Sequence, residues 1–350
     1  MAILSGLILA LAVLGLIILA NFGVGRPKVA AIALAVAAIF CALVTLDGLL
    51  DAFVATTSVA RADRSGLVRV GTGFAITGFG AALALVAGVR SRLARALPID
   101  PASPVHAVAL VLTVLLVGTQ LSAQLASDLL AQQATSGSPL GPLDLIAEEV
   151  PFLVGAFFGV GLFIRRPLAA SLNRLGLVRP AWWHVVLALA VAGVFYAFSN
   201  GADLLGQRFT PDLAHKVNAA NQRLFGQLAN PVGIATIALA AGICEEVLFR
   251  GALVPRLGIV WTSLVFAAVH TQYGLSFDTA AVLVLAIALG LLRRYTNTTT
   301  TILCHVAYNA LVGIGIAAAW LGPALGLEAV LLMVLVAVLT RHVGTSRATV

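Results

Sequence analysis

The sequence predicts an all-α fold, a polytopic transmembrane helical bundle of about eleven spans, and three observations carry that reading. Hydrophobic residues fill 61% of the 350 positions, charged residues only 10%, and mean hydropathy is +1.05. Soluble domains run near 45–50% apolar and about 25% charged, so this composition cannot clothe a water-facing surface. The apolar runs are unbroken stretches of Leu, Ala, Val and Ile, not the alternation of a lipid-facing barrel. At 61% of 350, about 214 residues are apolar, and roughly 20 per span gives ten or eleven crossings. A soluble enzyme, a secreted disulfide scaffold and a disordered chain are excluded.

Taken in order, the first run, Met1 to about Phe22, lacks a basic leader and reads as an anchor helix. Further spans are expected at about 29–56, 66–89, 104–125, 146–164, 181–199, 231–254, 257–272, 277–292, 299–319 and 322–340. Loop charge orients them. Arg90, Arg92 and Arg95 share one loop; Arg165, Arg166, Arg174 and Arg179 share another. Arg250 with Arg256, Arg293 with Arg294, and Arg341 with Arg347 follow. The intervening loops hold Asp128, Asp144, Glu148, Glu149 and Asp278. The basic loops are therefore expected on the cytoplasmic side, with the C-terminus inside. Arg61, Arg64 and Arg69 fit this alternation poorly. The expected location is the bacterial plasma membrane.

Residues 200–230 break the apolar rhythm with Asp203, Arg208, Asp212, His215, Lys216 and Arg223. They are expected to form an interfacial amphipathic connection. It separates an N-terminal block (1–199), whose role the sequence leaves unassigned, from a functional core (231–320) and a last span with its tail (321–350). The net charge of +7 is spread over short loops with no aromatic interleaving, so the partners expected are membrane lipids, not nucleic acid. Cys41, Cys244 and Cys304 lie in apolar stretches without CxxC spacing and predict neither disulfides nor a zinc ribbon.

Charge at the centre of a span costs at least about 2.5–3.5 kcal/mol and calls for a reason. Three C-terminal spans carry polar groups at helical spacing: Cys244-Glu245-Glu246-Val247-Leu248-Phe249-Arg250, Phe266-Ala267-Ala268-Val269-His270 and His305-Val306-Ala307-Tyr308-Asn309. Glu246 and Arg250, four apart, share a face and can pair. Glu245 is turned by about 100° and is free to meet neighbouring helices. His305 and Asn309 share a face, and Phe266, a packing residue, sits one turn before His270. A carboxylate, two imidazoles and a carboxamide in a low-dielectric site can activate water and stabilise an oxyanion.

EEVLFR, FAAVH and HVAYN resemble the motifs EExxxR, FxxxH and HxxxN of the CPBP family, the CAAX-processing and bacteriocin-processing intramembrane proteases also called Abi proteins. The resemblance covers about 231–320. It implies a helical membrane fold and endopeptidase activity near the cytoplasmic face on a peptide or membrane-protein substrate. Carried over, Glu245 and His270 activate the hydrolytic water, His305 and Asn309 stabilise the oxyanion, and Glu246 with Arg250 supports the site. No cofactor is favoured. Zinc is the alternative, held by Glu245, His270 and His305, although HExxH is absent and Asn309 is a poor ligand.

Other readings compete. A non-enzymatic membrane protein, either a proton-coupled transporter or a partner-binding scaffold, could use Glu245 and His270 as a relay. Glu148-Glu149 is a second paired glutamate, but it has no Arg four residues after Glu149, and Pro151 suggests a helix start where acidic residues are favourable. Cys244 and Cys304 lack an activating cation, so they are not expected to be nucleophiles. Asp47 and Asp51, four apart, are expected at an interface.

Overall fold

The computed structural model describes the backbone of residues 2–58 and 61–347, and side chains within 6–57 and 64–338. The side chains of Arg61, Arg341 and Arg347, which entered the topology reading, lie outside the described residues. Helices dominate: α1 (Ala2–Phe22), α2 (Pro27–Ser58), α3 (Arg61–Leu83), α4 (Ala87–Leu93), α5 (Pro104–Ala126), α6 (Leu129–Ser136), α7 (Pro142–Gly159) and α8 (Leu168–Leu175). The second half holds α9 (Trp182–Phe209), α10 (Pro211–Phe225), α11 (Pro231–Glu246), α12 (Val254–Val269), α13 (Phe277–Tyr295), α14 (Thr298–Ile314) and α15 (Leu321–Arg347). Among the described residues no strand forms.

Local chemistry sets many of the starts. Proline opens α2, α5, α7, α10 and α11, where its missing N–H costs nothing and its fixed φ suits the first turn. Asn230 Oδ1 accepts from Gly233 N at 3.0 Å ahead of α11. Asn297 Oδ1 accepts from Thr300 N at 2.9 Å ahead of α14. Each satisfies an otherwise orphaned amide.

Six helical segments are long and apolar enough to cross a membrane: Pro27–Thr57, Arg64–Leu83, Pro104–Ala126, Trp182–Phe209, Pro231–Val269 and Ala318–Val338. Among the described residues that number falls short of the expected eleven. Counting apolar residues assumed that all of them serve spans, but many belong to helices too short or too polar. The segment expected at 146–164 is α7, which has 18 residues and carries Asp144, Glu148 and Glu149. The α14 helix has 17 residues and begins with four threonines. The chain turns at 84–86 between α3 and α4, inside the expected 66–89 span. The α9 helix continues through Phe209, absorbing the first third of the expected 200–230 connection, and α10 follows at once. Asp47 and Asp51 are exposed on α2 well before its end at Ser58.

The Pro231–Val269 segment doubles back. A straight helix would separate Glu245 and His270 by about 37 Å, yet the two side chains approach to 3.9 Å. The ladder first slips into a π-helical turn over Val247–Leu253. Gly258 then adopts φ 77°, a left-handed conformation that a side chain would strain.

Tight packing follows from small residues. A Cβ on Gly48 of α2 would collide with Gly71 O of α3, so these helices touch backbone to backbone as small-residue membrane interfaces do. A Cβ on Gly242 of α11 would meet Val306 Cγ2 of α14 at 2.6 Å. This contact lies one turn before the two glutamates and beside His305. The largest apolar core gathers α1, α2, α3 and α5 around Leu16, Ala37, Val108 and Val111, while Ala188, Leu289 and Cys304 centre a second core of α9, α13 and α14.

Candidate active site

The end of α11 delivers two consecutive carboxylates to different neighbours, as a 100° step per residue requires. Glu246 is completely buried and Arg250 is 1% exposed. Glu246 Oε1 accepts from Arg250 Nη1 at 2.8 Å. The guanidinium also lies over the Phe266 ring, 4.3 Å from its centroid, and donates to Ala286 O at 3.4 Å. A buried ion pair needs such extra partners to offset its desolvation.

The same Glu246 oxygen also receives His305 Nδ1 at 2.9 Å. A carboxylate paired with a guanidinium can only accept, so His305 Nδ1 carries the proton and Nε2 points on to Glu245. His270 is held in the same way from the end of α12, where its Nδ1 donates to Phe266 O at 2.7 Å. Phe266 packs on His270 with ring centroids 4.5 Å apart, and Tyr273 stacks on the imidazole from 6.3 Å.

Both Nε2 atoms therefore face one carboxylate. His270 Nε2 is 3.9 Å from Glu245 Oε1, and His305 Nε2 is 3.9 Å from Glu245 Oε2. His270 Nε2 and Glu245 Oε1 are both acceptors and cannot bond directly at that distance. A water donating one proton to each, with both bonds about 2.8 Å long and roughly 90° apart, spans 3.9 Å. Glu245 Oε2 is buried and has no hydrogen-bond partner among the described residues, which leaves it available for such a donor.

Zinc held by the same three side chains would draw them closer together. Two ligands of one tetrahedral zinc lie roughly 3.3 Å apart, closer than the 3.9 Å observed. Among the described residues no group of three or more His, Cys, Asp or Glu side chains is arranged to hold a metal ion.

Asn309 lies one turn beyond His305 on α14, half-buried, and makes no hydrogen bond among the described residues. The structure thus brings Glu245, Glu246, Arg250, Phe266, His270 and His305 together, and links Asn309 to them through the shared face of α14. Cys244 and Cys304 are free and buried; Cys304 packs in the core of α9, α13 and α14.

Sequence reasoning missed three features. The Glu246–His305 bond joins two helices and has no spacing signal. Tyr273 belongs to no motif. Glu149 was read as a helix-start residue beside Pro151, but α7 begins at Pro142 and Pro151 lies in its interior. Glu148 is exposed, whereas Glu149 is buried, with its Oε2 unpartnered, and interacts electrostatically with Glu245 across the α7–α11 interface. Its signal was the interior proline, which frees the Ala147 carbonyl and opens the helix locally.

A largely buried Glu–His–His cluster in a bundle of apolar helices defines a class: integral membrane proteins of all-α fold with a polar centre. More particularly, residues 227–311 match the family described as Type II CAAX prenyl endopeptidase Rce1-like. All three motifs fall inside the match. A relative in Bacillus subtilis (strain 168), "Uncharacterized protein YpbD", is 30% identical over 122 residues, which is 34% of this chain and 59% of that protein. The chain thus aligns with less than two thirds of that relative. No solved structure matches the chain.

Proposed function

We propose that this protein is an intramembrane endopeptidase that hydrolyses a peptide bond with a water activated by Glu245. The observation that carries the reading is the approach of two imidazole Nε2 atoms to the two oxygens of one buried carboxylate, each at 3.9 Å. The water donates to Glu245 and to His270 Nε2, and its oxygen attacks the scissile carbonyl carbon as Glu245 takes the proton. The tetrahedral oxyanion receives hydrogen bonds from Asn309 and from His305. Because the His305 Nδ1 proton is committed to Glu246, His305 donates from Nε2 as the imidazolium, and the Glu246 carboxylate supports that charge. Collapse expels the amine, which leaves with the proton held by Glu245. No metal takes part in this scheme, and each polar group has one role.

The basic loops carrying Arg165, Arg166, Arg293 and Arg294 favour the cytoplasmic side for their end of the bundle, and the family resemblance implies a reaction near that face. The substrate class is a peptide or membrane protein that presents an extended segment there. The family description extends this to prenylated C-terminal peptides. Comparing membrane peptidomes of cells carrying wild type and Glu245→Gln tests the reading. Specific cleavage products should disappear in the variant at equal levels of folded protein. Identical peptidomes, or proton-linked flux lost in place of cleavage, would overturn it.

A further inference from the structure

A second feature borders the Glu–His cluster at Phe249 without including any of its carboxylates or imidazoles. Helices α1, α2, α5, α7 and α12 line a half-open cavity of about 1000 Å³, at the upper end of the range for small-molecule sites. Its walls are almost wholly aliphatic and aromatic. Along α1 it extends from Gly6 to Ala20; those fifteen residues span about 21 Å of helix. One end differs. Arg165, Arg166, Arg174 and Arg256 all line it.

These four guanidiniums lie within electrostatic reach of one another, and none forms an ion pair with a carboxylate among the described residues. Three are positioned by neutral groups. Arg165 Nε donates to Asn21 Oδ1 at 2.8 Å, Arg166 to Val160 O, and Arg174 Nη1 to Gly251 O at 3.2 Å. Arg256, half-buried, makes no hydrogen bond among the described residues. One carboxylate lines the cavity here, that of Asp100, and its Oδ1 accepts from Ala102 N at 2.9 Å. Burial first, and then the Arg256 charge, pull Arg174 down to about 10, as expected for cations gathered without a counterion.

From the joining of a long apolar cavity to an uncompensated arginine cluster we infer a binding site for one anionic glycerophospholipid, its acyl chain between α1 and α5 and its phosphate against Arg165, Arg166, Arg174 and Arg256. An apolar gap between membrane helices takes up hydrocarbon, and basic pockets at its rim select an anionic headgroup. The site is independent of the chemistry at Glu245.

The test uses the full chain, extracted from vesicles holding equal amounts of phosphatidylglycerol and phosphatidylcholine with the same acyl chains. Bound lipid is counted by native mass spectrometry. Wild type should retain phosphatidylglycerol selectively, and Arg165→Gln/Arg256→Gln should retain it roughly thirtyfold less. Leu112→Trp, which fills the cavity and leaves every arginine, should lose the lipid as well. It decides the matter if the double variant fails to fold. Inorganic phosphate should not raise the thermal stability of the protein, whereas phosphatidylglycerol should. Equal retention of the two lipids, unchanged retention by the folded double variant or by Leu112→Trp, or stabilisation by phosphate alone would each overturn the inference.

Discussion

His305 Nδ1 and Glu246 Oε1 lie 2.9 Å apart, and that same oxygen holds Arg250 at 2.8 Å. One buried carboxylate therefore joins α14 to the π-helical turn and sets the proton position of an imidazole that faces Glu245. This makes Glu246 a positioning residue, whereas Glu245 is the group free to meet a water.

The first prediction follows from that division. Glu246→Gln leaves Arg250 charged, buried and without a counterion, a loss of about 3–5 kcal/mol. Thermal unfolding in detergent should fall sharply for this variant and hardly at all for Glu245→Gln. Equal unfolding temperatures for wild type and Glu246→Gln would reject the assignment.

Gly242 provides a second prediction, through packing. A methyl group there would lie 2.6 Å from Val306 Cγ2 and 3.0 Å from Val306 N, so α14 must move away from α11. Gly242→Ala should destabilise the protein by about 1–3 kcal/mol, the usual range for overpacking. Because the shift separates His305 from the glutamates, turnover should drop further than stability. A variant with native unfolding temperature and native cleavage would show that the close approach has no consequence.

Metal independence is the third. Activity should survive exhaustive chelation, and purified protein should carry substoichiometric zinc. A catalytic zinc takes three protein ligands and a water. Using Glu245, His270 and His305 as ligands leaves only Glu246 as base, and Glu246 already accepts two charged or polar donors. One zinc per chain, with activity lost on removal and restored on addition, would sink the metal-free scheme.

Glu149 carries the fourth. It is buried, has an unpartnered oxygen and opposes another carboxylate rather than a cation. Burial, and then the facing Glu245, raise its pKa to about 8, so the carboxyl is largely neutral at pH 7 and an amide replaces it without orphaning a partner; Glu149→Gln should unfold at the same temperature as wild type or higher, by up to about 1 kcal/mol. A loss comparable with that of Glu246→Gln would mean that Glu149 has a cationic partner, contrary to its surroundings.

What the sequence determined by itself is whatever repeats along one helix. Composition implied helices in lipid, and the 3.6-residue period put Glu246 beside Arg250 and turned Glu245 away, as observed. It also put Phe266 against His270. Contacts between helices have no such period, and tertiary packing alone decided them. The slip at Val247–Leu253 and the left-handed Gly258 fold α12 back so that residues 25 positions apart meet. The Gly242–Val306 approach brings His305 onto Glu246. Burial separates Glu149 from its exposed neighbour Glu148, a distinction that two adjacent identical letters cannot carry. Among the described residues six helices rather than eleven are long and apolar enough to cross a membrane for the same reason: hydropathy counts apolar residues, but whether they face lipid, a core or a cavity depends on which helices pack against them.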